Sequence, residues 1–194
     1  MSNPLCVVNN LTLITGGARS GKSAFAEKLA LTGAGKVTYI ATMEAVVSDC
    51  ESAERISRHR QRRPPHWRTV EVPLDIHESL AHVIEGSEVC LIDCLSLYVS
   101  NLLLRHDQAQ LPAQDLEESI SSSATQLLQA IGELEATQFI VVTNEVGWGI
   151  VPENGLARAY RDLLGFTNQQ FAAAALAVWL CCSGLQVKLK PTTE

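Results

Sequence analysis

The sequence predicts an α/β fold: a mostly parallel sheet with helices on both faces and a hairpin at the C-terminal end. Three observations predict it. Short apolar runs of strand type alternate with longer helical patterns along the chain. Two of the runs, Val89-Cys90-Leu91-Ile92 and Phe139-Ile140-Val141-Val142, are continuously apolar, as strands buried on both faces are. The first run, Leu11-Thr12-Leu13-Ile14-Thr15, opens into Gly16-Gly17-Ala18-Arg19-Ser20-Gly21-Lys22-Ser23, a complete G-x-x-x-x-G-K-S phosphate loop.

The elements follow in order. After the first strand, Leu11–Thr15, the loop's helix runs from about Lys22 to Thr32, with Gly33 as its stop. Val37–Ala41 is a second strand, and a charged helix over about Ser48–His59 is capped by Ser48 or Asp49. Val70-Glu71-Val72 forms a short strand and Leu74–Ile84 a helix. Helices over about Leu95–Leu104 and Asp115–Glu135 flank the two buried strands, and another spans Gly155–Ala175. Val178–Cys182 and Gln186–Leu189 close the chain, joined by the turn chemistry of Ser183-Gly184-Leu185. No repeat or low-complexity linker interrupts the 194 residues, so one nucleotide-binding domain over 1–194 is expected, with 1–10 a flexible N-terminus and 191–194 a tail.

Composition narrows the function. With 46% hydrophobic residues the chain buries a core, and a net charge of −6 argues against a general nucleic-acid binder. The charge is uneven, however. Arg55, Arg58, Arg60, Arg62, Arg63 and Arg68 are six of only 15 basic residues, a local cationic patch that suits a polyphosphate. Met1–Asn10 has no secretory signal and no apolar stretch reaches the ~18 residues of a membrane span. Six cysteines show neither a C-x-x-C pair nor zinc spacing, and Cys181-Cys182 sits in an apolar run as small core residues. A cytoplasmic, reduced protein without structural metal is expected.

The phosphate loop carries the first chemistry. Its glycines let backbone N–H groups curl around phosphates, Lys22 reaches the outer phosphates, and the Ser23 hydroxyl can ligate magnesium. The helix that follows points its N-terminal dipole at the same place. No G-x-G-x-x-G occurs, so the loop is not a dinucleotide fingerprint. Asp93 ends a buried strand, where an acid can hold magnesium directly or through water; the alternative is a carboxylate merely exposed at a strand end.

The segment from Arg55 to Arg68 carries the second. Guanidinium groups donate to phosphate in a fork, and His59 lies among them at helical spacing from Arg55 and Arg63. Neighbouring cations favour neutral imidazole, whose ring nitrogen can attack phosphorus and form a covalent intermediate. Taken on residues alone, a solvated basic helix with an incidental histidine is the simpler account. The segment Thr143–Asn154 leaves the end of the strand Phe139–Val142; Asn144 or Glu145 positions substrate there, or the segment is only a capped loop entering a helix. His66, His77, His82 and His106 have no partner pattern, and G-x-S-x-G is absent.

Read together, these segments resemble one family. The loop Gly16–Ser23, Tyr39-Ile40-Ala41-Thr42, the block from Arg55-Ile56 through His59-Arg60 and Arg63-Pro64 to Trp67-Arg68-Thr69, and Thr143-Asn144-Glu145-Val146-Gly147 with Gly149-Ile150-Val151-Pro152-Glu153-Asn154 are similar to the bifunctional adenosylcobinamide kinase / adenosylcobinamide-phosphate guanylyltransferases of cobalamin biosynthesis. The similarity runs from about Leu11 to Lys190. It implies a P-loop, RecA-like sheet, a homotrimer, magnesium, and two reactions. ATP or GTP phosphorylates the aminopropanol hydroxyl of adenosylcobinamide; GTP then gives GMP to a histidine, and the substrate phosphate takes it up. The resemblance places the guanylylated histidine at His59, overturning the incidental account. It places nucleotide contacts at Gly16, Gly17, Ala18, Arg19, Ser20, Gly21, Lys22 and Ser23, at Ala41, Thr42 and Met43, at Arg60, Gln61, Arg62 and Arg63, and at Glu71 and Asp93. Many members carry His-His where this chain has Arg58-His59, so the second histidine is the one retained. A kinase without nucleotidyl transfer, or a nucleotide-binding switch without turnover, would have no need of a histidine among arginines.

Overall fold

A computed structural model describes residues 7–33, 35–43, 63–109 and 112–190. Its elements are β1 (Val8–Gly16), α1 (Lys22–Thr32), β2 (Val37–Ala41), β3 (Arg68–Glu71), α2 (Ile76–Val83), β4 (Val89–Asp93), α3 (Leu95–Gln108), α4 (Ala113–Glu133), β5 (Gln138–Val142), α5 (Gly155–Ala174), β6 (Ala175–Cys182) and β7 (Leu185–Lys190). All seven strands join one sheet in the order β3-β2-β4-β5-β1-β6-β7. Every pairing is parallel except that of β6 with β7. The predicted α/β class, mostly parallel with a C-terminal hairpin, is what the molecule shows.

Period-2 alternation divides the strand residues between two cores. Leu11, Leu13, Ile40, Ile92 and Val141 face a large cluster with Ile76 and Leu80 of α2, Tyr98 and Leu102 of α3, Leu127 of α4, and Leu164 and Phe171 of α5. Ile14, Tyr39, Leu91, Ile140 and Val142 face the other way, toward α1. Helix α1 buries Lys22, Ala26 and Ala30 along one i, i+4, i+8 stripe, and the small side chains of Ala26 and Ala30 let it lie close to the sheet. Phe25 at its side packs edge-on against Trp179, with ring centroids 5.2 Å apart.

Several boundaries and one cysteine depart from expectation, among them β6, which begins at Ala175, and α3, which runs on to Gln108. Strand β1 starts at Val8, inside the stretch 1–10 expected to be a flexible N-terminus. The reason is Asn10, which is buried and whose amide donates to the carbonyls of Ile131, Leu134 and Thr137, tying the strand to the end of α4. Strand β3 ends at Glu71, and the Val72 N–H instead bonds the Ala41 carbonyl where the chain turns away. Helix α2 begins only at Ile76, because Asp75 adopts a left-handed φ of 49°. Cys181 is buried, but Cys182 is exposed: alternation along β6 turns it outward, so it is not a core residue. The β6–β7 turn consists of Ser183 and Gly184, both with positive φ, the geometry a two-residue hairpin requires. The expected helix over Ser48–His59 lies outside the described residues.

Candidate active site

Strand register builds the site. Glu71 pairs with Ala41, Ala41 with Asp93, Asp93 with Val142, and Val142 with Ile14. One row of residues therefore crosses the carboxyl ends of five strands, and the phosphate loop rises from its last member two residues on. In an open parallel sheet this is the edge where ligands bind. Ala41, Glu71, Asp93 and the loop, dispersed over 78 positions of sequence from Gly16 to Asp93, come together because the strand order is not the chain order.

The loop is held by its neighbours on both sides. Glu145 N–H donates to Gly16 O at 3.1 Å, and the Thr15 hydroxyl donates to Glu145 Oε1 at 2.8 Å. From the other side the hairpin turn reaches in, with Gly184 N–H donating to Ser20 O at 3.0 Å. Within the loop, Ser20 N–H donates to Gly17 O, and Arg19 takes a left-handed φ of 57° that bends the chain over. Ala18 and Arg19 face solvent, Gly17 and Ser23 are half-buried, and Ser20 is buried with its Oγ unpartnered among the described residues. Gly21 enters α1 at φ 94°, and no side chain caps the helix, leaving its first-turn N–H groups to a ligand. Lys22 is only 8% exposed; its ammonium donates to Gly17 O at 3.1 Å across the loop's own turn.

Gly16 is where the loop tolerates least. A Cβ there would collide with the Cys181 carbonyl oxygen and with Ser20 Oγ. Backbone cannot yield as a flexible side chain does, so Gly16→Ala is expected to destabilise the fold by about 1–3 kcal/mol and lower Tm by roughly 2–12 °C. Calorimetry checks this; an unchanged Tm would contradict the packing described.

Around Asp93 the chain assembles a polar cluster. Tyr39 OH donates to Asp93 Oδ2 at 2.7 Å, and the Arg63 guanidinium carbon lies 3.4 Å from the centre of the Tyr39 ring. Burial first, and the Asp93 charge second, push the Tyr39 phenol far above its usual range, so it stays a donor at any working pH. Thr42 closes the next layer: its hydroxyl donates to Cys94 O and accepts from Cys94 N–H, both at 2.8 Å. Asn101 holds the Thr42 carbonyl at 2.8 Å. Met43, half-buried, follows directly. Cys94 is a buried thiol, pushed up to about 11 chiefly by burial and then by the Asp93 charge, so it is a packing group and not a nucleophile. Between Arg63, Trp67, Val70 and Glu71 lies an open cleft of about 570 Å³ along β3.

Asn144 and Glu145 are integral to this edge. The Asn144 side-chain amide donates to Ser96 Oγ at 2.9 Å, the Asn144 backbone carbonyl accepts from the Asn168 amide, and Asn168 Oδ1 accepts from the Thr143 hydroxyl at 2.7 Å. The same segment is also a capped entry to a helix: Asn154 Oδ1 accepts from Ala157 N–H at 3.1 Å, and the helix starts at Gly155, after Pro152. The capped-entry account left open by the sequence thus holds at the helix end, while at the other end Asn144 and Glu145 are bonded into the sheet edge.

Asp93, on the evidence of its half-buried setting and its bond from Tyr39, is no carboxylate merely exposed at a strand end. With Ser23 it offers hard oxygen donors at the mouth of a phosphate loop, which suits magnesium; among the described residues no cluster of three His, Cys, Asp or Glu forms a protein cage. His59, Arg60, Gln61 and Arg62 lie outside the described residues; Arg63, at the end of that run, sits on Tyr39 beside Asp93. The links Tyr39–Asp93, Thr15–Glu145 and Ser20–Gly184 have no motif in sequence. An advance signal is the tyrosine in the second strand, whose hydroxyl needs a partner when buried.

Comparison with known proteins decides the family. The model of the family described as cobinamide kinase / cobinamide phosphate guanyltransferase matches residues 12–189. The chain belongs to that family. It is 45% identical over 184 residues to the bifunctional adenosylcobalamin biosynthesis protein CobU of Escherichia coli K12, covering 93% of this chain and 99% of that one. It is 42% identical over 184 residues to CobU of Salmonella typhimurium LT2, again 93% and 99%, and 42% identical over 178 residues to CobP of Pseudomonas aeruginosa, 92% and 96%. The chain is therefore an enzyme of the bifunctional kinase and guanyltransferase type. An ATPase of a bacterial type III secretion system shares the fold, with a TM-score of 0.56 at 11% identity over 91% of this chain and 53% of that one. Among the described residues no helix is long and apolar enough to cross a membrane.

Proposed function

We propose that the protein phosphorylates adenosylcobinamide and then converts the phosphate to adenosylcobinamide-GDP through a guanylyl-histidine at His59. The observation that carries the reading is the single sheet edge on which the phosphate loop, Asp93 and Arg63 meet, in a chain of this family. In the first step ATP or GTP lies with its outer phosphates in Gly16–Ser23. The acceptor hydroxyl oxygen attacks the γ-phosphorus, the bond to the β-phosphate oxygen breaks, the nucleoside diphosphate leaves, and the hydroxyl proton passes to water. Lys22 and the first-turn N–H groups of α1 stabilise the charge on the transferring group. The buried Ser20 hydroxyl, unpartnered among the described residues, adds a donor inside the loop.

Ser23 and Asp93 would hold magnesium, which neutralises phosphate charge when bound. Tyr39 orients the Asp93 carboxylate for that task, and Asn101 and Thr42 fix the backbone beside it.

In the second step a ring nitrogen of neutral His59 attacks the α-phosphorus of GTP, and pyrophosphate departs as the Pα–O bond breaks. A phosphate oxygen of the cobinamide ester then attacks the same phosphorus; the P–N bond breaks and the histidine returns to its starting form. Arg60, Arg62 and Arg63 would neutralise the leaving pyrophosphate. What supports this role for His59 is the place of Arg63, four residues further along the chain, stacked beside Asp93. Incubation with adenosylcobinamide, GTP and magnesium is expected to yield adenosylcobinamide-GDP by mass spectrometry. Recovery of unmodified substrate would overturn the proposal.

A trimer in the cytoplasm completes the reading. It is supported by β7, an edge strand whose Leu185, Val187 and Leu189 are 73, 54 and 56% exposed, a surface that a second copy of the chain would cover. Sedimentation equilibrium is expected to give three times the monomer mass; a monomer would contradict it.

A further inference from the structure

The segment 145–154 joins the phosphate loop to helix α5, and its two ends are rigid. At one end Glu145 is bonded to Gly16 and Thr15, and Asn144 to Ser96 and Asn168. At the other, Asn154 caps α5, and Arg158 donates to the carbonyls of Pro152 at 2.9 Å and Glu153 at 2.6 Å. Between these anchors the chain presents large apolar side chains to water: Trp148 is 76% exposed, Ile150 96% and Val151 59%. A segment anchored at both ends that exposes three such residues within four positions marks a binding surface.

Its position names the occupant. Trp148 is three residues from Glu145, so its Cα lies within roughly 11 Å of a residue bonded to the phosphate loop. Ile150, by the same measure, is within roughly 18 Å. The acceptor of the proposed reaction must place a hydroxyl at the outer phosphates while its bulk, a broad macrocycle carrying methyl groups between peripheral amides, rests beside them. We propose that Trp148, Ile150 and Val151 form the platform on which that macrocycle lies. The inference rests on the substrate assignment of the preceding section. The segment leaves β5, which lies next to the loop's strand β1 inside the sheet, whereas β7 is the edge strand. An aromatic and two aliphatic side chains within four positions of sequence suit the methyl-bearing part of such a ring.

The test is equilibrium dialysis of adenosylcobinamide against the full-length enzyme and two variants, Trp148→Ala and Ile150→Ser. Neither side chain is packed inside the protein, so both variants should fold. Kd for adenosylcobinamide is expected to rise about tenfold or more. Kd for a fluorescent GTP analogue and the sedimenting mass are expected to stay as in the unmodified enzyme. Unchanged cobinamide affinity in both variants, with the unmodified enzyme binding normally, would overturn the platform alone. So would an affinity loss accompanied by a fall in sedimenting mass, which would make the loop a subunit contact. Failure of the unmodified enzyme to bind adenosylcobinamide would overturn the platform and the substrate assignment together.

Discussion

The His59→Ala enzyme is expected to accumulate adenosylcobinamide phosphate and to form no adenosylcobinamide-GDP. Phosphoryl transfer needs the loop, its lysine and the acceptor hydroxyl, none of which this substitution touches. Guanylyl transfer, by contrast, needs a nucleophile, and alanine has none. Loss of a covalent nucleophile leaves only the catalysis that binding supplies, so the transfer rate should fall by at least about 10³-fold. The kinase rate should stay within about twofold, since its transition-state contacts are intact. Arg58→Ala is the informative companion: it removes a neighbouring cation and spares the nucleophile, so transfer should survive. Quantifying the two products by chromatography separates the steps. If His59→Ala makes adenosylcobinamide-GDP at the unmodified rate, the nucleophile is elsewhere.

Lys22→Ala should act on the first step with comparable force. The ammonium is the loop's only cation placed to meet an outer phosphate from within, since Arg19 faces solvent. Removing one preorganised donor to developing charge lowers kcat by about 10²–10³. Because that charge grows during transfer, the loss should appear in kcat more than in KM; a rise in KM alone would mean that Lys22 contributes only uniform binding. Circular dichroism of Lys22→Met, which keeps the length of the buried stem, separates catalytic loss from misfolding. Unchanged phosphorylation of adenosylcobinamide by Lys22→Ala would refute the loop's role.

The local part of the site was legible, and the long-range part was not. Gly16–Ser23 announces itself because its chemistry depends on eight consecutive residues. The strands around Leu91 and Ile140 are legible because burial on both faces leaves an unbroken apolar run. Asp93 could be suspected from its place at a strand end. Its partner could not: Tyr39 lies 54 positions away, and only the pairing of β2 with β4 makes them neighbours. The same holds for Thr15 and Glu145, 130 positions apart. Cys182 misled because composition alone does not say which way an edge-proximal strand turns its last residue. The anchoring of β1 by Asn10 escaped notice because a single polar side chain, bonded to three carbonyls at the end of α4, carries no periodicity. The role proposed for His59, outside the described residues, rests on the resemblance; charge patterning by itself favoured a solvated helix.

Intact-mass spectrometry of the enzyme after incubation with GTP and magnesium, without any cobinamide, tests the central claim most directly. The account predicts a covalent GMP adduct that is lost in acid, as a phosphorus–nitrogen bond is, and that does not form in His59→Ala. An enzyme whose mass stays unchanged while it still makes adenosylcobinamide-GDP would contradict it.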